Sequence, residues 1–259
     1  MPELPDLQAF SRNLSKVLVG KKVEKLYAIN KKKLKTEEKE LRHCVEGAKL
    51  SSIYREGKEL YFAFDNHNVL ALHLMLHGQL HLFQGANENK YTIIELVFSD
   101  NTGLAMTDFQ GQATPTLNPE SRKAPDALSK QINDKFLRET LGQTRAAVKN
   151  VLMDQQVIRG IGNAYADEIL WKARISPFSI SNKIPDAALK ALAESIHSVL
   201  SMAEKTILKT HPDIIRGEVR DFMAVHNAKR KESPTGSKIH NKIAGGRKTY
   251  YTDEQKLYQ

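Results

Sequence analysis

The sequence holds a single cysteine, Cys44. A disulfide within the chain is therefore impossible, and so is a four-cysteine zinc site. No stretch approaches the roughly 18 consecutive apolar residues that a membrane span needs. No charged-then-apolar leader opens the chain either. These absences point to a soluble protein of the cytoplasm, on the nucleoid if the host is a bacterium, with no membrane partner. Internal repeats and low-complexity tracts are missing. Acid is also in short supply: 30 Asp and Glu face 39 Lys and Arg, a net charge of +9. Such an excess suits a polyanionic partner, most simply nucleic acid. What is present is enough apolar residue, 41% of 259 positions, to build the cores of two ordinary domains.

Residues 6–20 carry Leu7, Phe10, Leu14, Val17 and Leu18 at helical spacing, and Gly20 closes the run. From residue 22 to about 110 the texture changes. Short β-branched or aromatic runs (VEKLYAI, KLSSIYREG, ELYFAFD, NVLALHLMLH, GQLHLFQ, YTIIELVFSD) alternate with turn residues, which predicts an antiparallel sandwich or barrel. Lys31, Lys32, Lys33 and Lys35 form a solvated run in a loop between early strands. QATPTLNPESRKAPDA reads as a linker. Helical periodicity follows, in ALSKQINDKFLRETL, TRAAVKNVLMD, NAYADEILWKAR and a long run from Asp186 to Thr210. In the basic tail, two short strands flank Ala244-Gly245-Gly246. The expected domains are a β-sandwich over 1–114, a linker over 115–128, a helical domain over 129–225 and a hairpin over 226–259.

The joint Arg159-Gly160-Ile161-Gly162-Asn163 sits between two helical patterns. Glycines there allow close backbone approach, and the N–H groups that open the next helix favour an anion. No GK[ST] follows, which excludes a P-loop. By itself the joint is equally a plain helix hairpin. The wider stretch 152–177, with Asp154-Gln155, Gly160-Ile161-Gly162-Asn163, Tyr165-Ala166-Asp167-Glu168 and Ile175-Ser176-Pro177, resembles the helix–two-turn–helix of the formamidopyrimidine-DNA glycosylase/endonuclease VIII family. Four further stations agree in order: the opening MPELPD, Gly57-Lys58 in YREGKELYF, His73-Leu74 with Gly78 in HLMLHG, and the tail GGRKTYY. Together they cover nearly the whole chain.

The resemblance implies an α+β multidomain fold: an N-terminal antiparallel β-sandwich with a leading helix, a helix–two-turn–helix domain and a β-hairpin finger. It implies DNA repair by a bifunctional glycosylase and abasic-site lyase acting on oxidised bases in double-stranded or damaged DNA, with the chain as a monomer. Removal of Met1 would free the secondary amine of Pro2. An α-amino group has a pKa about 2–3 units below that of lysine, so its neutral form can attack a sugar carbon and form an imine. By resemblance Glu3 is the proton partner, and Lys58 assists at the lesion nucleotide. Asn163, beside Gly162, holds phosphate, and Arg247 does so as a planar donor. Lys149 either contacts DNA or closes a structural ion pair. Base extrusion leaves a void, which by resemblance falls to the turn around Leu76-His77 and to the loop Asp108-Phe109-Gln110-Gly111-Gln112. Phe109 equally suits a core.

Several positions depart from the family pattern. Asp6 stands where glutamate is common. Gln110-Gly111-Gln112 lacks the usual arginine and phenylalanine. Ser233, Gly236, Thr252 and Gln255 stand where many members carry zinc-binding cysteines, and His226 and His240 are too isolated to replace them. The expectation is a zincless finger, with no metal or other cofactor, packed through Tyr250 and Tyr251. The short HPDIIRGEVRDFMAVH segment favours the endonuclease VIII-like branch, whose usual substrates are oxidised pyrimidines and hydantoins. A non-catalytic damaged-DNA-binding protein on the same scaffold is the alternative. An RNA-binding protein is a third reading, disfavoured by MPELPD and the β domain.

Overall fold

A computed structural model describes residues 1–259, apart from the side chain of Lys33. The chain divides into two compact units. One comprises Met1–Ser121 with Ile207–Glu218, and the other Arg122–Thr206 with Val219–Gln259.

The first unit opens with helix α1, Leu4–Leu18. Pro5 sits in its first turn, where a missing N–H costs nothing. Leu7, Phe10, Leu14 and Leu18 lie on one face and are fully or almost fully buried. Strands β1 (Val23–Ala28), β2 (Leu50–Glu56), β3 (Glu59–Phe64), β4 (Val69–His73), β5 (Gln79–Gln84), β6 (Thr92–Phe98), β7 (Thr102–Thr107) and β8 (Thr114–Leu117) follow. They form two antiparallel sheets, ordered β1-β6-β7-β5 and β2-β3-β4-β8. Alternate residues of both sheets join the α1 face in one core around Phe62, Phe98, Leu96 and Leu104.

Two strands and one helix lie outside the sequence expectation. β7 carries Gly103, whose missing side chain leaves room for the ring of Phe83; a Cβ there would meet that ring at 2.0 Å. β8 carries Pro115 on the edge of its sheet, where proline is tolerated. Residues 115–117 of the expected linker are therefore strand, and the unit boundary falls at 121/122. Helix α2, Glu38–Val45, lies in a charged stretch with only Leu41 and Val45 buried. Lys31–Lys33 form a single 3-10 turn in which the Asn30 side chain accepts from the Lys32 N–H. Lys31 pairs with Glu38 at 2.7 Å. The Lys33 side chain lies outside what is described.

The second unit contains α3 (Asp134–Gly142), α4 (Val148–Met153), α5 (Asn163–Lys172) and most of α6 (Asp186–Thr210). Asn133 caps α3 by accepting from Phe136 N–H at 3.0 Å. The tail forms the hairpin β9 (Ile239–Ala244) and β10 (Arg247–Thr252). Its two-residue turn is Gly245-Gly246, with φ of 56° and 72°. Both values suit the turn type whose twist matches a hairpin, and both strain any other residue. Tyr250 packs edge-on against His226, and Tyr251 against Phe178, at centroid distances of 4.8 and 5.0 Å.

The expected helical domain over 129–225 needs one change. Ile207–Glu218 belongs with the first unit. Ile214 and Ile215 pack against the sandwich core, and Asn13 donates to the Ile214 carbonyl at 2.9 Å. Arg216 reaches the ring of His81, and Glu218 pairs with the terminal amine of Met1.

Candidate active site and nucleic-acid interface

In the first unit the terminal segment is built in. Pro2 is buried and Glu3 is 4% exposed. Glu3 is the N-cap of α1 and forms a capping box with Asp6. The Asp6 carboxylate accepts the Glu3 N–H at 2.9 Å, and the Glu3 side chain accepts the Asp6 N–H. Asp6 thus acquires a local role that its position in the sequence did not reveal: it holds Glu3 in one orientation.

Lys58 occupies the two-residue turn between β2 and β3, half-buried, behind Gly57 at φ 58°. Glycine first is the sequence demanded by one of the two tight hairpin turns. Arg55 ties that turn to α1. Its Nε donates to the Gln8 side chain at 2.9 Å, and its Nη1 donates to the Gly57 carbonyl at 3.1 Å. Sequence reasoning missed Arg55. The signal was an arginine at an inward position of an alternating strand, where its 9% exposure demands partners.

Leu76 and Phe109 are each 60% exposed. Phe109 is therefore a surface residue rather than part of the core. Its ring contacts the exposed His77 at a centroid distance of 4.6 Å, tilted by 48°. The buried Asp108 carboxylate organises this loop by accepting the N–H groups of Gln110, Gln112 and Ala113 at 2.8–2.9 Å. The ring contact joins the two segments that the resemblance singles out, the Leu76-His77 turn and the Asp108–Gln112 loop.

In the second unit Gly162 is the N-cap of α5 and Asn163 its first residue. The Asn163 amide donates one N–H to the Lys248 carbonyl at 3.0 Å. This couples the helix opening to the hairpin that carries the exposed Arg247. An amide nitrogen has two N–H donors, and this bond uses one of them.

Lys149 corrects one of the two expectations for it. It is 4% exposed, its ammonium lies 2.7 Å from the fully buried Asp167, and it donates to Thr249 Oγ1 at 2.8 Å. Desolvation makes the structural pair, rather than a DNA contact, its environment. Asp167 also meets the His226 ring at 2.7 Å and the Tyr250 N–H at 2.9 Å. Its neighbour Glu168 accepts the N–H groups of Ala224, Val225 and His226 at 2.7–2.8 Å. Burial pushes the Glu168 carboxyl up from its ordinary pKa, against the pull of those three donors. Two adjacent carboxylates of α5 thus fix the hairpin and the segment leading to it.

Zinc, which the family resemblance raises for the finger, does not fit the donors present. Ser233, Gly236, Thr252 and Gln255 offer neither thiolate nor imidazole. Among the described residues no group of three His, Cys, Asp or Glu could hold a metal ion. No helix of the described residues is long and apolar enough to cross a membrane.

Comparison with known proteins agrees with this architecture. The family model for the formamidopyrimidine-DNA glycosylase N-terminal domain matches residues 1–114, and the model for its H2TH domain matches residues 124–211. The formamidopyrimidine-DNA glycosylases of Lactobacillus acidophilus and Bacillus subtilis are each 29% identical over 97% of this chain and 97% of theirs. A solved complex between Lactococcus lactis Fpg and DNA containing an abasic site is 26% identical, covers 97% of this chain and 98% of its own, and has a TM-score of 0.86. With both domain models matched over most of its length, the chain belongs to the formamidopyrimidine-DNA glycosylase family, a family of DNA-repair glycosylases.

Proposed function

We propose that this protein excises oxidised bases from duplex DNA and then cleaves the strand at the abasic sugar, using Pro2 as nucleophile. The observation that carries the reading is the reciprocal cap between Glu3 and Asp6. It turns the first residues into an ordered, buried segment instead of a frayed leader. With Met1 removed, the Pro2 amine attacks C1′ of the damaged nucleotide while Glu3 protonates the departing sugar oxygen. The base leaves and an iminium forms. The iminium acidifies the C2′ proton, so the 3′ phosphate and then the 5′ phosphate are eliminated.

Lys58, on the turn that Arg55 holds, assists at the lesion nucleotide. Asn163 and Arg247 take phosphates. Leu76, His77 and Phe109 fill the space left by the extruded base. The Gln110–Gln112 segment provides no arginine there, so opposite-strand recognition relies on the exposed Phe109–His77 pair. The short segment after α6, fastened to the sandwich by Ile214, Ile215 and Arg216, favours oxidised pyrimidines and hydantoins over a purine needing a long cap. The curated relatives carry the formamidopyrimidine name, so that purine class is the competing substrate.

Borohydride reduction in the presence of an abasic or oxidised-base duplex tests the mechanism. A covalent adduct is expected, with mass spectrometry locating it on Pro2. Pro2→Gly and Glu3→Gln should lose cleavage while keeping DNA affinity. A wild-type protein with Pro2 at its terminus that binds such duplexes without forming any adduct is a binder, and the catalytic reading falls. Lesion duplexes tested side by side decide between pyrimidine and purine substrates.

A further inference from the structure

The base of the β9–β10 hairpin is made of two turns. In the first, Gly236 N–H donates to the Ser233 carbonyl at 2.9 Å and Ser237 N–H to Ser233 Oγ at 3.2 Å. In the second, Gln255 N–H donates to the Thr252 carbonyl at 3.3 Å, and the Thr252 N–H donates to Gln255 Oε1 at 2.8 Å. Gln255 Nε2 then donates to the Ile175 carbonyl just after α5, at 2.8 Å. The four positions at which the family resemblance raised zinc-binding cysteines thus act as backbone-turn residues, and Ser233, Thr252 and Gln255 are all buried.

One side chain joins these turns. Oε2 of Glu254 accepts from Thr235 Oγ1 in the first turn at 2.8 Å and from Thr252 Oγ1 in the second at 3.3 Å. Its Oε1 lies 2.8 Å from the guanidinium of Arg174, which follows α5. Ser233 Oγ, bonded to Thr235 Oγ1 at 2.8 Å, extends the chain of hydroxyls. A carboxylate has about four lone-pair sites and suits this convergence of donors. We propose that the Glu254 carboxylate is the clasp of the finger. It holds the two turns together and onto α5 without a metal, and so positions the hairpin that carries Arg247.

The charge logic is the reverse of a thiolate finger: an anion sits at the centre and donors surround it. The Thr235 hydroxyl, and after it Arg174, hold the Glu254 carboxyl below its ordinary pKa. Arg174 is 46% exposed, so solvent screens the ion pair and the hydroxyl bonds supply most of the directionality. Phe178 gives the hairpin a second anchor, with Tyr251 edge-on and the Lys242 ammonium 3.9 Å from its ring centroid. Loss of the clasp should therefore loosen the turns without unfolding the strands.

Glu254→Ala and Glu254→Gln test this directly. Amide hydrogen exchange at Gly236, Ser237, Thr252 and Gln255 should rise at least about tenfold in the alanine variant. The rise should be smaller in the glutamine variant, which keeps a carbonyl acceptor but not the charge. Treatment with a zinc chelator should leave exchange unchanged. Exchange equal to wild type in Glu254→Ala, or faster exchange on chelation, overturns the clasp.

The consequence for DNA rests on the proposed function and has its own readout. Glu254→Ala should weaken duplex binding and lower the salt slope by about 1, as loss of one phosphate contact does. Glu254→Ala combined with Arg247→Ala should bind no worse than Arg247→Ala alone. Full additivity refutes the positioning role. If the wild type binds no DNA, the functional reading fails, and exchange still decides the clasp.

Discussion

Arg55→Met separates the link between α1 and the Lys58 turn from simple core packing. Methionine keeps an apolar stem of similar reach but gives up the hydrogen bonds to Gln8 and to the Gly57 carbonyl. The bond to Gln8 is half-exposed, and water can replace it. The bond to the Gly57 carbonyl is buried, and its loss leaves an acceptor without this charged donor. Hydrogen bonds to charged groups contribute about 1.5–3 kcal/mol, so the variant should lose about 2 kcal/mol. In a protein of this size each kcal/mol lowers Tm by about 2–4 °C, giving a fall of about 4–8 °C in the transition of the first unit. A displacement of about 1 Å at a catalytic group can slow reaction about a hundredfold. Covalent trapping should therefore slow far more than the stability change explains, even at temperatures where the variant is folded. Differential scanning calorimetry and single-turnover borohydride trapping measure the two effects. If Tm stays within a degree of wild type and trapping keeps its rate, Arg55 does not hold the Lys58 turn.

Three further expectations follow from the same geometry. Leu76→Ala and Phe109→Ala remove exposed side chains and should change stability by no more than about 0.5 kcal/mol, yet reduce extrusion of a fluorescent base reporter; a large stability loss or unchanged extrusion contradicts the surface role. Asp167→Ala leaves Lys149 and His226 without their buried carboxylate and should cost about 3–5 kcal/mol in urea titration of the second unit, whereas a cost under about 1 kcal/mol would show that solvent reaches the pair. Burial, and secondarily Arg216, lower the His81 pKa from 6.5. The folded protein therefore binds fewer protons there than the unfolded chain, and this contribution, present above pH 6.5, is lost as pH falls through the folded value. Thermal scans below that pH should show a shallower pH dependence for His81→Gln than for wild type, and parallel curves would refute it.

Residues whose neighbours lie close in sequence were the most legible. The α1 stripe, the Gly245-Gly246 hairpin and the helix from Asp186 rest on local periodicity or turn chemistry, and the structure has them where expected except for Val17 of the stripe, which is exposed; the Gly57-Lys58 turn was legible through the family resemblance. β7 and β8 were hidden because Gly103 and Pro115 read as turn residues until Phe83 and a sheet edge give them a place. α2 was hidden because two buried residues give too faint a stripe. Partner-dependent roles were illegible for a different reason. Lys149 faces Asp167 and Thr249, 18 and 100 positions away, and Glu254 gathers donors from Thr235 and Arg174. No local pattern reports such pairings. Asp6 lay between these cases, since its capping partner is three residues away and only the substitution of aspartate for glutamate obscured it.

The assignment of Ile207–Glu218 to the first unit means that the chain passes between the units three times, at 121/122, 206/207 and 218/219. A single cut in the proline-rich stretch therefore does not yield a complete first unit. A fragment ending there lacks Ile214 and Ile215 from its core and the carbonyl that Asn13 binds. Exchange of parts between relatives follows the same rule. A chimera with one junction near residue 121 pairs one parent's sandwich with the other parent's return segment, so the two must share that packing. A chimera that moves 1–121 and 207–218 together keeps each core within one lineage, and recombination that respects folding has to act at three joints.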